Sequence, residues 1–169
     1  MKKIFLFSLV TLLAIISTSC NSGVKPADPP ITYGSDNNEY WQDINVRGCY
    51  EIESCGVAIT DIQGLLCNLN GTVTIKTIKT PDWPKGKEIM GEAIIEVLNK
   101  DNTVITSRQT FDLNDLFNSQ EGDVATITVR LKKDYKTEEA EKIVKEAKYI
   151  RVSKLTIRER IKDLYGNPL

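Results

Sequence analysis

The chain has 169 residues, with 22 Lys and Arg against 23 Asp and Glu, four cysteines and no histidine. That length suits one domain. The absence of histidine excludes Ser-His-Asp and Cys-His nucleophile systems, His-ligated zinc and a histidine proton switch.

Residues 1–20 read MKKIFLFSLVTLLAIISTSC. Lys2 and Lys3 precede an apolar run of 13 residues, Ile4 to Ile16. Such a run is shorter than the ~20 residues that span a bilayer. Small residues Ser17, Thr18 and Ser19 follow, which is the secretory signal layout. The segment resembles a bacterial lipoprotein signal, whose lipobox ends in a modified cysteine; here that cysteine is Cys20, with Ser17 where leucine is commoner. The resemblance implies removal of residues 1–19, a diacylglycerol thioether on Cys20, and anchoring in the cell envelope, with Asn21 favouring the outer membrane over the inner. Two acyl chains, at ~0.8 kcal/mol per buried methylene, anchor stably where one is marginal. Cleavage takes two lysines and no acid, leaving 150 residues of net charge −3.

Residues 20–43 read as a lipidated N-terminus and flexible tether. Pro26, Pro29 and Pro30 oppose regular pairing, and no hydrophobic period is sustained. Tyr40-Trp41 is the expected docking point onto a single domain over residues 44–169.

From Ile44 onward the period is mostly two. Ile44, Val46, Tyr50 and Ile52 form one set; Val73 and Ile75, then Ala93, Ile95 and Val97, form others. Asn99-Lys100-Asp101-Asn102 supplies hairpin turn residues before a run carrying Ile105, Phe111 and Leu113 on one phase. Asp112 to Phe117 suits a short helical turn, and Ile127, Val129 and Leu131 alternate after it. Thr137 to Lys148 is the one amphipathic helix: Thr137 as N-cap, acids first, lysines last, and an apolar stripe of Ala140, Ile143, Val144 and Ala147. The last strand, from Tyr149 to about Ile161, changes phase between Val152 and Leu155, which calls for a bulge near Ser153-Lys154.

The pattern predicts a mainly β fold: an antiparallel, immunoglobulin-like β-sandwich of about seven strands with one α-helix before the last strand. Gly71-Thr-Val-Thr-Ile, the hairpin IIEVLNKDNTVITS, the strand ATITVRL and the closing AKYIRV resemble the small FxLYD-type envelope domains, although Val97-Leu98-Asn99 keeps little of that family's aromatic-Asp signature. The resemblance covers about 90 residues and implies an extracytoplasmic binding or structural module without catalytic residues.

Export favours oxidation of the three remaining thiols. A Cys55–Cys67 bridge across a turn near Asp61–Gly64 is one expectation; three small buried cysteines is the other. The chain carries neither a C-x-x-C pair nor a fourth metal ligand, so no metal and no cofactor is expected. Carboxylates are plentiful enough for hydrolase chemistry, with Glu92/Glu96 and Asp112/Asp115 the pairs nearest by sequence; for Glu92 and Glu96, expected on the exposed face of a strand, solvated charge is the simpler explanation.

The candidate contact residues are surface features. Trp83, between Pro81-Asp82 and Pro84-Lys85, could stack on a sugar or anchor a protein partner, or fold back to plug the sandwich. Charge is segregated: residues 20–129 carry net −8 and residues 130–162 net +6. Arg151, Arg158 and Arg160 on the last strand therefore face either an anionic partner or the acidic strands of the chain itself. Nucleic acid is excluded by the negative net charge and the lack of aromatics among the basic residues. The expected function is a lipid-anchored, non-catalytic module that binds a protein or glycan in the envelope. The alternatives are an assembly subunit that uses an exposed edge strand, or a carboxylate-dependent hydrolase.

Overall fold

The structure is a computed structural model that describes residues 20–21 and 23–169; residues 1–19, expected from the sequence to be a signal peptide, lie outside the described residues. Strands β1 (Cys20–Asn21), β2 (Lys25–Tyr33), β3 (Trp41–Asp43), β4 (Tyr50–Gln63) and β5 (Leu66–Thr77) come first. Then follow β6 (Ile89–Leu98), β7 (Val104–Thr110), the single-turn helix α1 (Asn114–Phe117), β8 (Val124–Lys136), α2 (Thr137–Glu146) and β9 (Tyr149–Arg160).

Two sheets pack face to face. The first has the order β1-β4-β5-β8; the second runs β2-β9-β6-β7, with β3 also on β9. Alternation drives the packing. Along β5 every second residue from Cys67 to Thr77 is buried, and along β8 Ala125, Ile127, Val129 and Leu131 are buried while their neighbours are exposed. Val57, Ile59, Leu69, Val73, Ile75, Ile95, Leu155 and Ile157, each at most 1% exposed, meet between the sheets. Burying side chains of this size contributes about 1.5–3 kcal/mol each. The fold is thus the expected mainly β sandwich with one full helix before the last strand.

Local expectations hold at several turns. Asn99 Oδ1 accepts from the backbone N–H groups of Asp101 and Thr103, and Asn102 takes φ 58°, so Asx chemistry closes the β6–β7 hairpin. The β9 bulge falls at Ser153: Ile94 pairs Lys154 and Ile95 pairs Val152, leaving one residue over and returning Leu155 and Ile157 to the interior. Helix α2 buries Ala140 and Val144 as the stripe requires, but starts from Lys136, and the Thr137 side chain makes no cap bond. Phe111 departs from the expected inward phase; it is 59% exposed beyond the end of β7.

The tether expected over residues 20–43 is corrected. Lys25–Tyr33 pairs in parallel with β9, and Trp41–Asp43 pairs antiparallel with it. β1 adds two residues beside Ala58 and Val57 of β4. Proline opposes pairing in a central strand, yet an edge strand needs only its sheet-facing donors and tolerates proline where the ladder is interrupted. The β2 ladder is indeed broken between Pro26 and Ile31, around Pro29 and Pro30. The β2–β9 pair also makes the sheet mixed where an antiparallel one was expected.

Candidate functional site

Several predicted site residues lie on the outer face of the second sheet, where β6 and β9 run side by side. Register sets Glu96 opposite Arg151, and their side chains meet at 2.7 Å. Lys154 reaches Glu92 at 2.8 Å. Arg158 donates to Asp36 at 2.7 Å, and Arg160 to Glu88 at 2.8 Å. Both guanidinium groups also sit 5.9 Å from the centre of the Trp41 ring, within the range of a cation–π contact. Lys87 pairs with Glu159 at 2.9 Å. Of the two roles open to Arg151, Arg158 and Arg160, pairing within the chain is therefore the one observed, and Glu92 and Glu96 are held by cations rather than by each other. Trp41 docks the N-terminal segment, as its sequence position suggested, and does so on arginines that sequence alone could not place beside it.

Of the two readings of the Trp83 loop, the inward one holds. The indole packs against the core, edge-on to Phe117 with ring centres 6.0 Å apart and planes at 70°. Phe117 in turn lies over Gly91, where an added Cβ would come within 2.6 Å of the ring. The buried indole N–H has no hydrogen-bond partner. Trp83 therefore plugs the sandwich and presents no flat platform for a sugar. Asp82 and Lys85 remain exposed on the loop, without the aromatic anchor that made the loop attractive.

The Cys55–Cys67 bridge is also overturned. Cys49, Cys55 and Cys67 are all free. Cys55 pairs Val73 while Cys67 lies six residues away on β5, opposite Tyr135. At ~3.3 Å per residue that is ~20 Å, far beyond disulfide reach. Each sulfur instead donates to a carbonyl: Cys55 to Val24 at 3.7 Å and Cys67 to Tyr135 at 3.4 Å. Burial raises all three thiol pKa values, that of Cys55 to about 11, so these are packing residues rather than nucleophiles. Desolvation likewise raises Tyr33 and Tyr50, and the Tyr50 hydroxyl is buried without a partner.

The feature that sequence reasoning missed is the seam on the opposite side of the molecule. β7 and β8 are the terminal strands of their sheets, and each has a backbone edge that no described strand covers. Between them lies a cleft of about 550 Å³, lined by Arg108, Gln109, Thr110 and Asp112 on one side and Thr128 to Lys133 on the other. Arg108 pairs Ile95 across β6–β7. Opposed residues share a face, and Ile95 is wholly buried, so Arg108 stands on the interior face of an edge strand. Arg130 pairs Asn70 and stands on the outer face of β8, between buried Val129 and Leu131. Four cations thus meet one carboxylate, Asp112, in the cleft. Lys132 rests over Tyr135 at 4.0 Å, and Lys133 has a loose contact with Asp134 at 3.9 Å. Neither Arg108 nor Arg130 has a carboxylate partner among the described residues. The sequence did hold a signal for this seam: a lone arginine in a short alternating strand, and a basic cluster closing β8. It could not say that the two strands are neighbours.

Among the described residues, no group of three or more Cys, Asp or Glu is placed to hold a metal ion. No protein-family model matches the chain, and no curated protein or solved structure matches it either.

Proposed function

We propose that this protein is a lipid-anchored, non-catalytic envelope module that captures an extended segment of a partner protein along the open β7–β8 seam. The single observation that carries the reading is the edge of β8, which no described strand covers: its Thr126–Thr128 part lies beside Leu113 and Leu116, and its Thr128–Lys133 part borders the cleft to β7. An unpaired edge offers a row of N–H and C=O groups to another chain, the basis of recognition by strand addition. A protein occupant is favoured over a glycan because Trp83 is turned inward and no aromatic ring lines the cleft. The non-catalytic reading is supported by the engagement of Glu92 and Glu96 in ion pairs. The anchored reading rests on the lipobox-like segment ending at Cys20. The FxLYD likeness rests on the same kind of pattern and points to the same compartment.

Two measurements test this. Mass spectrometry of the N-terminal peptide should find a diacylglycerol-modified Cys20, and an unmodified peptide would remove the anchor from the reading. A photo-crosslinking residue placed at Thr128 in cells should give a discrete adduct that the same residue at Glu139, on the exposed face of α2, does not. Equal yields from both positions would count against the seam as the capture site.

A further inference from the structure

The captured segment has a definite chemistry. We propose that it carries two consecutive acidic residues, one read by Arg108 from inside the sandwich and the next by Arg130 from outside. This rests on the strand-capture reading above and adds to it the sequence character of the partner.

The argument begins with strand geometry. A segment laid beside β8 continues the first sheet, and its side chains alternate between the two faces. Those turned inward cover the seam, into which Arg108 projects from the interior face of β7. Their immediate neighbours turn outward, onto the face that carries Arg130. One inward and one outward arginine lining the same cleft therefore match two adjacent residues of an extended chain.

The charge argument is independent of that geometry. Lys132 and Lys133 add to the two arginines, and Asp112 is the only opposing charge in the lining. A docking segment would exclude water from a seam already backed by Val129 and Leu131. There a guanidinium left alone is costly, and one that forms a forked bond to a carboxylate is strongly favoured. A neutral segment would leave Arg108 unpaired inside the seam, and a basic one would be repelled; Arg130, on the outer face, also borders a cleft with Asp61 and Asp134, and a carboxylate beside it adds to that charge pairing.

A simpler role exists for Arg108. An inward-pointing charge on an edge strand keeps copies of a protein from pairing edge to edge. The two roles predict different outcomes.

The test uses the purified chain and two synthetic extended peptides of alternating Thr and Val. One has a central Asp-Glu pair and the other Asn-Gln. Fluorescence anisotropy should show the acidic peptide binding about tenfold more tightly, a ratio set by one net charge-assisted contact. That advantage should shrink as salt is raised and be lost in both Arg108→Gln and Arg130→Gln. Bound peptide should slow amide hydrogen exchange across residues 124–136. Equal affinity for the two peptides, or an advantage that survives both substitutions, overturns the acidic assignment and leaves strand capture standing. Absence of slowed exchange in β8 with either peptide overturns strand capture itself, and this inference with it. Self-association of Arg108→Gln with peptide preference unchanged assigns Arg108 to guarding the edge and overturns its role as a reader.

Discussion

The two charged regions of this sandwich follow opposite rules. On the outer face of the second sheet, each cation of β9 from Arg151 to Arg160 has a carboxylate within 2.8 Å. On the seam between β7 and β8, Arg108 and Arg130 have none among the described residues. The same residue type is thus structural on one side and available on the other. The cause lies in pairing. β9 is central and lies beside acidic β6 and the Asp36 loop, whereas β7 and β8 are edges with a neighbour on one side only. A central strand acquires its counter-charges through register; an edge strand keeps half of its surroundings open.

Perturbing the two regions separately tests this contrast. The largest effect is expected at Arg158, which is 8% exposed and lies between Asp36, Met90 and Trp41. Arg158→Ala should lower unfolding free energy in urea by about 2 kcal/mol, below the full cost of breaking a buried pair because Asp36 is half exposed. Glu92→Gln should cost about 1 kcal/mol, since the Glu92 carboxylate is largely buried against Lys154. Arg108→Ala and Arg130→Ala should fall within about 0.5 kcal/mol of the parent. If Arg108→Ala proved as costly as Arg158→Ala, the seam would be structural and the contrast would fail.

Alkali should act on the interior. The folded state holds Cys49, Cys55, Cys67, Tyr33 and Tyr50 protonated to higher pH than their ordinary values. The unfolded chain therefore loses these protons first. Stability should be flat up to about pH 9, the ordinary thiol value, and fall from there as pH rises toward the Cys55 value of about 11. A urea midpoint measured from pH 7 to 11 checks the sign; a midpoint that rose above pH 9 would contradict the buried, neutral thiols.

Much of this architecture was legible from local pattern. Alternation in Val73–Ile75, Ala93–Val97 and Ile127–Leu131 marked strands with one buried face, because the pleat has a period of two wherever the chain runs. The phase change at Ser153 disclosed a bulge for the same reason. Helix α2 announced itself through Ala140 and Val144. The site was far less legible. Trp83 and the β9 arginines stand out in the sequence, but whether each faces a partner or its own fold depends on residues far away in sequence: Phe117 for Trp83, Asp36 and Trp41 for Arg158. The basic residues of the seam were in view, but nothing in β7 or β8 alone says that their edges adjoin.

The sequence by itself determined the fold class of this protein: an interior of alternating β-branched residues and one helix before the last strand. Only the tertiary structure decided which strands are central and which are edges, and from that the rest follows. It drew the proline-rich segment 25–33 onto β9, held Cys55 and Cys67 apart, neutralised the arginines of β9 and left those of the seam open. Side-chain alternation is encoded within a few residues, whereas strand neighbours are chosen by contacts across the whole chain. Counter-charge, disulfide reach and an open edge are all properties of neighbours.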